Sequence, residues 1–152
     1  MRIWLMLHRW HKAALSFMHY NIGLTYRYWG NTYSLQSEYE KAMDHFNQAL
    51  EHKPDYAKVY LNRGILYWRE LDRPRRAIDD LTQALALDPG MDEALFNRGV
   101  AYQQLKEYEK AIADYKAYLQ NSDHPYWQEY AANMIHELGE WTDGDATLIT
   151  GQ

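Results

Sequence analysis

Apolar residues recur along most of this chain at helical spacing. In "VYLNRGILYWREL", Val59 to Leu71, and "ALFNRGVAYQQL", Ala94 to Leu105, bulky residues fall three and four apart around a central glycine, which predicts two amphipathic helices that are near copies. Glycine inside a helix costs about 1 kcal/mol against alanine, so its return at the same place points to a recurring purpose. Aligning on it finds a third copy upstream, "YRYWGNTY", with Gly30 34 residues before Gly64 and Gly64 35 before Gly99. Tyr33, Tyr67 and Tyr102 follow three residues later, and Tyr26, Tyr60 and Leu95 precede by four, all on one helical face.

A second helix follows in each unit. Its apolar face carries Ala42, Ala77 and Ala111, then Phe46, Leu81 and Tyr115, then Ala49, Ala84 and Tyr118. Pro54 and Pro89 close the first two units and Pro125 the third, because proline cannot continue a helix. The middle turn "ELDRPRRA" holds one extra residue, with Asp72 placed to cap and Pro74 to open the second helix. Small residues at the glycine and alanine columns would let the two helices of a hairpin close up, with aromatics filling the space beside them. Repeat stacks need sealed ends. "PYWQEYAANMIHELG" reads as a capping helix over 126–139 with Trp127, Ala131, Met134, Ile135 and Leu138 on its apolar side and Gly139 as a stop, and 140–152 read as a flexible tail.

These columns resemble the tetratricopeptide repeat family, whose unit of about 34 residues carries W-x₂-L-G-x₂-Y, A-x₃-F and P landmarks. The matching residues are Tyr26/Trp29/Gly30/Tyr33 with Ala42/Phe46/Pro54, Tyr60/Arg63/Gly64/Tyr67 with Ala77/Leu81/Pro89, and Leu95/Arg98/Gly99/Tyr102 with Ala111/Tyr115. Arg63 and Arg98 depart from the usual leucine column, and Tyr118 from a small-residue one. The resemblance implies an all-α, right-handed solenoid of three helix hairpins over 23–125, in units 23–56, 57–91 and 92–125, between an N-terminal helix and the capping helix.

In that family the first helix of each unit lines a concave groove. Carried over, this implies Arg27, Tyr28, Asn31 and Leu35 from the first unit, Lys58, Leu61, Asn62, Ile65 and Arg69 with Trp68 from the second, and Glu93, Phe96, Asn97, Val100 and Gln104 from the third. Leu61, Ile65, Phe96 and Val100 would form an apolar floor. Asn62 and Asn97 would either pair with a ligand backbone or bond a neighbouring helix. Some members hold chaperone C-termini in a carboxylate clamp, a cation and an Asn in the first unit, an Asn in the second and two cations in the third. Arg27, Asn31 and Asn62 match the first three places, but Glu93 and Asn97 stand where the cations belong, so a ligand with apolar side chains fits better.

The N-terminal segment 1–22 has one stripe of Met6, Trp10, Ala13, Phe17, Tyr20 and Leu24 and a partial second of Trp4, Leu15, Met18 and Ile22. Packing on the first unit, a dimer or partner contact, and a membrane-surface contact through 1–20 all remain open for it. Charge divides unevenly along the chain. Residues 1–37 hold Arg2, Arg9, Lys12 and Arg27 and no acid, while the net charge of the whole is −5. A chain acidic overall lacks the broad basic face that nucleic acid needs. With no cysteine, no phosphate-cradling loop and no nucleophile motif, neither enzyme nor cofactor is expected. His8 and His11 have metal-ligand spacing without a carboxylate to complete a site, and Asp79 and Asp80 read as a solvated face. No apolar run is long enough to span a bilayer or serve as a secretory signal. The expectation is a cytoplasmic, non-enzymatic adaptor that binds a partner peptide or helix in its groove; the alternative is a structural or assembly subunit docked or self-associating through the N-terminal helix.

Overall fold

The computed structural model describes residues 2–149, with side chains over 3–140. Among them run seven helices: α1 Arg2–Tyr33, α2 Gln36–His52, α3 Ala57–Arg69, α4 Pro74–Leu87, α5 Asp92–Gln104, α6 Tyr108–Asn121 and α7 Pro125–Ile149. Helices α1/α2, α3/α4 and α5/α6 form antiparallel hairpins stacked side by side, and α7 closes the stack on α6. Each hairpin turns through one residue in the left-handed region, Ser34, Asp72 or Lys106. Asp72 therefore does not cap α4; Arg73 holds the N-cap position and Pro74 opens the helix.

Packing follows the small-residue columns. Ala42, Ala77 and Ala111 are fully buried, and so are Phe46, Leu81 and Tyr115 one turn on. A Cβ added at Gly64 would lie 2.8 Å from Leu81 Cγ and 3.3 Å from the Ala77 carbonyl oxygen, and one at Gly99 would lie 2.9 Å from the Tyr115 ring. In the first hairpin the residue in that position is Gly23, 2.7 Å from the Phe46 ring and 3.2 Å from the Ala42 oxygen, whereas Gly30 packs on Tyr39. Two other columns agree. Asn21, Asn62 and Asn97 each donate their side-chain amide to the carbonyl four residues back, on Phe17, Lys58 and Glu93. Lys41, Arg76 and Lys110 each stand over Tyr26, Tyr67 and Tyr102. The first unit is thus registered on "NIGLTY", matching "NRGILY" and "NRGVAY", two helical turns earlier than the alignment on Gly30. The extra residues lengthen both helices at the turn: α1 runs ten residues past Gly23, against five past Gly64 and Gly99, and α2 starts six before Ala42, against three before Ala77 and Ala111.

The arginines that broke the leucine column are structural. Arg63 donates through Nε and Nη2 to both oxygens of Asp80 at 2.7 Å and through Nη1 to Asn47 of the preceding hairpin. Arg98 repeats this with Asp114 and Thr82. Asp80 is accordingly buried in an ion pair instead of lying on a solvated face with Asp79. In the first unit Ile22 and His45 occupy the corresponding places, and His45 meets His19 with the two Nδ1 atoms 3.0 Å apart.

α1 runs unbroken from the N-terminal segment into the first hairpin, since no proline interrupts it and Gly23 faces a close neighbour. Ser16 is buried and donates to the Ala49 carbonyl. α7 buries Ala131 and Leu138 against α6. It continues past Gly139 to Ile149, so the segment expected as a tail is helical to that point. One glycine costs a helix only about 1 kcal/mol, and no proline follows it.

Candidate functional site

The three first helices, α1, α3 and α5, together with α7 and the end of α6, line an open cavity of about 680 Å³. Of the residues expected to line a groove, it takes Arg27, Ile65, Arg69, Phe96, Asn97 and Val100, together with Trp68 and Glu93. Tyr28, Asn31, Lys58 and Gln104 are exposed outside it. Leu61, 5% exposed, does not line this cavity; it packs in the core beside Ala77 and Leu81. Leu35 is exposed at the first turn.

The amides are largely used within the protein. Asn97 accepts from Trp68 Nε1 at 3.2 Å and donates to the Glu93 carbonyl. Asn62 donates to the Tyr20 hydroxyl as well as to its own helix. Both tie neighbouring helices together, which favours the structural of the two roles open to them.

Arg27 differs. Its Nη1 is the one buried side-chain nitrogen or oxygen without a hydrogen-bond partner among the described residues. Burial pulls the guanidinium below its ordinary value; Glu93 and Tyr20 hold it up, and the nearby Arg69 pushes it down again. A donor so placed lacks an acceptor, and Arg69, paired only loosely with Glu70 at 3.4 Å, adds a second positive charge to the same wall.

The opposite end of the cavity is aromatic. Phe96 contacts Tyr118, Trp127 and Tyr130 at ring-centre distances of 5.3, 5.0 and 5.5 Å. Trp127, read from sequence as part of the capping seam, is 41% exposed and lines the cavity, while Ala131 and Leu138 do the sealing. Tyr118 explains its departure from the small-residue column: Ala49 and Ala84 let helices close up, whereas this ring fills the end of the stack and reaches Phe96. Asp92, Tyr118, Ser122, His124, Trp127 and Tyr130 also line the cavity and were absent from the sequence expectation. The density of "HPYWQEY" in aromatics was the available signal, but a capping helix gives no sign of which face looks into a groove.

The structural register also changes the clamp comparison. The first-unit counterparts of Lys58 and Asn62 are Phe17 and Asn21, so Arg27 and Asn31 do not occupy the clamp positions that alignment on Gly30 assigns them. Arg27 instead sits in the column of Trp68.

Stacked helix hairpins with their first helices along one wall define a repeat-type α-solenoid. Family profiles described as TPR repeat and tetratricopeptide repeat match residues 30–70 and 69–125. The chain belongs to the tetratricopeptide repeat family, a fold for protein–protein interaction. Solved structures agree. The TPR domain of OM64 from Arabidopsis is 23% identical with a TM-score of 0.73, covering 83% of this chain and 98% of that one. The first TPR of Spaghetti (RPAP3), bound to the HSP90 peptide SRMEEVD, is 25% identical at 0.66, covering 82% and 95%. The first TPR domain of human RPAP3 is 25% identical at 0.67, covering 83% and 96%. No curated protein matches the chain. Among the described residues no helix is long and apolar enough to cross a membrane.

Proposed function

We propose that this protein is a non-enzymatic adaptor that holds a short segment of a partner protein in the cavity between α1, α3, α5 and α7. The observation that carries the reading is Arg27: it lines a cavity whose far end is aromatic, and its guanidinium holds a buried nitrogen, Nη1, without a hydrogen-bond partner among the described residues. The segment places a carboxylate at Arg27 and Arg69 and a bulky apolar side chain against Phe96, Trp127 and Tyr130. Binding of the peptide SRMEEVD by the first TPR of Spaghetti supports peptide recognition as the task. Glu93 beside the cations and Phe17 in the first clamp column favour a segment with one well-placed acid over a doubly acidic tail.

The test is capture from native lysate with wild type, Arg27→Gln and Trp127→Ala side by side, with circular dichroism to check that all three stay folded. Partners held by wild type and lost in both variants support the reading, and partners held equally by all three place binding outside this cavity. Titration with SRMEEVD then separates the segment types: an affinity equal to that of a captured partner's own segment would refute the preference for a single acid.

A further inference from the structure

α3 and α5 begin seven residues before their packing glycines, at Ala57 and Asp92, whereas α1 begins twenty-one before Gly23. The fourteen additional residues project α1 about 21 Å beyond the start of the repeat. On this extension Ile3, Met6, Leu7 and Trp10 recur at helical spacing along one face and are 60 to 74% exposed. Ser16 and Gly23, which do face α2, lie on the opposite side of the helix, so α2 does not cover the stripe. Arg9 and Lys12 stand across from the stripe. Trp4 and Leu5, exposed at 66 and 55%, lie outside it, so the tip from Ile3 to Leu7 is apolar all round. The whole of α1 contains no acid, and the first in the chain is Glu38.

We infer that this extension is a docking element for an anionic lipid surface, with Trp10 and its stripe buried at the headgroup boundary and Arg9 and Lys12 reaching the phosphates. Charge and shape choose the occupant. A second copy would bring one acid-free cationic helix against another, and a single partner helix would cover the stripe while leaving Trp4 and Leu5 in water. A bilayer interface accepts an apolar tip from every side, favours tryptophan, and supplies the negative charge. The element is separate from the peptide cavity, so the two activities fail independently.

The experiment is flotation of the full chain with phosphatidylcholine vesicles and with vesicles that also contain phosphatidylserine, together with sedimentation of the protein alone. Wild type is expected to float with the anionic vesicles and far less with the neutral ones. Arg9→Gln with Lys12→Gln should lower anionic partitioning roughly twenty-five-fold, at about five-fold per cation. Met6→Glu with Trp10→Glu should abolish it while leaving circular dichroism unchanged, since both side chains are exposed. Failure to float on anionic vesicles, or flotation indifferent to both double variants, overturns the proposal. If the chain instead shows a concentration-dependent mass that Met6→Glu with Trp10→Glu removes, the occupant is a second copy. If it neither floats nor self-associates, the stripe belongs to a protein partner.

Discussion

Replacing Gly64 by alanine tests the packing logic of the whole stack, because two opposing effects meet there. Alanine raises helix propensity by about 1 kcal/mol. The new methyl, however, would start 2.8 Å from Leu81 Cγ and 3.3 Å from the Ala77 oxygen, and Leu81 is fully buried with nowhere to swing. Overpacking of this kind costs about 1–3 kcal/mol, so the net change is a loss of about 0–2 kcal/mol. Gly139 supplies the control, for a Cβ there meets nothing within 4 Å, and Gly139→Ala should gain about 0.5–1 kcal/mol. Propensity cancels between the two variants, leaving a gap of about 1–3 kcal/mol that reports the close approach alone. Urea denaturation of both, followed by circular dichroism, measures it; each kcal/mol would also appear as about 2–4 °C in Tm. Equal shifts in the same direction would refute the claim that glycine is there for contact.

Two further outcomes follow from the polar contacts. Arg63→Ala strands the buried carboxylate of Asp80 and should cost about 3–5 kcal/mol, most of it recovered by combining Arg63→Met with Asp80→Leu; urea midpoints of the single and double variants decide it. His19 is held below its ordinary value of 6.5 by desolvation and by His45 and His52, against a raising influence from Glu51. The unfolded chain therefore takes up a proton first, so the contribution is complete above pH 6.5 and fades as pH falls toward the folded value. Urea midpoints between about pH 7.5 and 5.5 should decline in wild type and decline less in His19→Gln.

How much was legible in advance differs between the fold and the site. The helices, their hairpin pairing and the alanine column all lie in local periodicity, and the structure keeps them. Registration of the first unit was also written in the chain, as "NIGLTY", but "YRYWGNTY" offered a glycine and a tyrosine at the more usual spacing. Only the position of the turn at Ser34 decides between them, since it determines which glycine stands opposite Phe46. Asp80 was misread because a pair of adjacent acids gives no sign that one of them meets an arginine seventeen residues away.

By itself, then, the sequence determined that this chain is a tetratricopeptide solenoid, because helix formation and hairpin closure depend on residues a few positions apart. Tertiary structure decided which side chains share a cavity. Leu61 and Ile65 lie one turn apart on α3 and are buried in the same core, yet only Ile65 also reaches the cavity wall. Trp127 and Tyr130 join Phe96 only because α7 folds back over the end of α5 and α6. Arg27 meets Glu93 and Arg69 only because α1, α3 and α5 pack around one space. Burial is a property of the assembled surface, and no local spacing carries it.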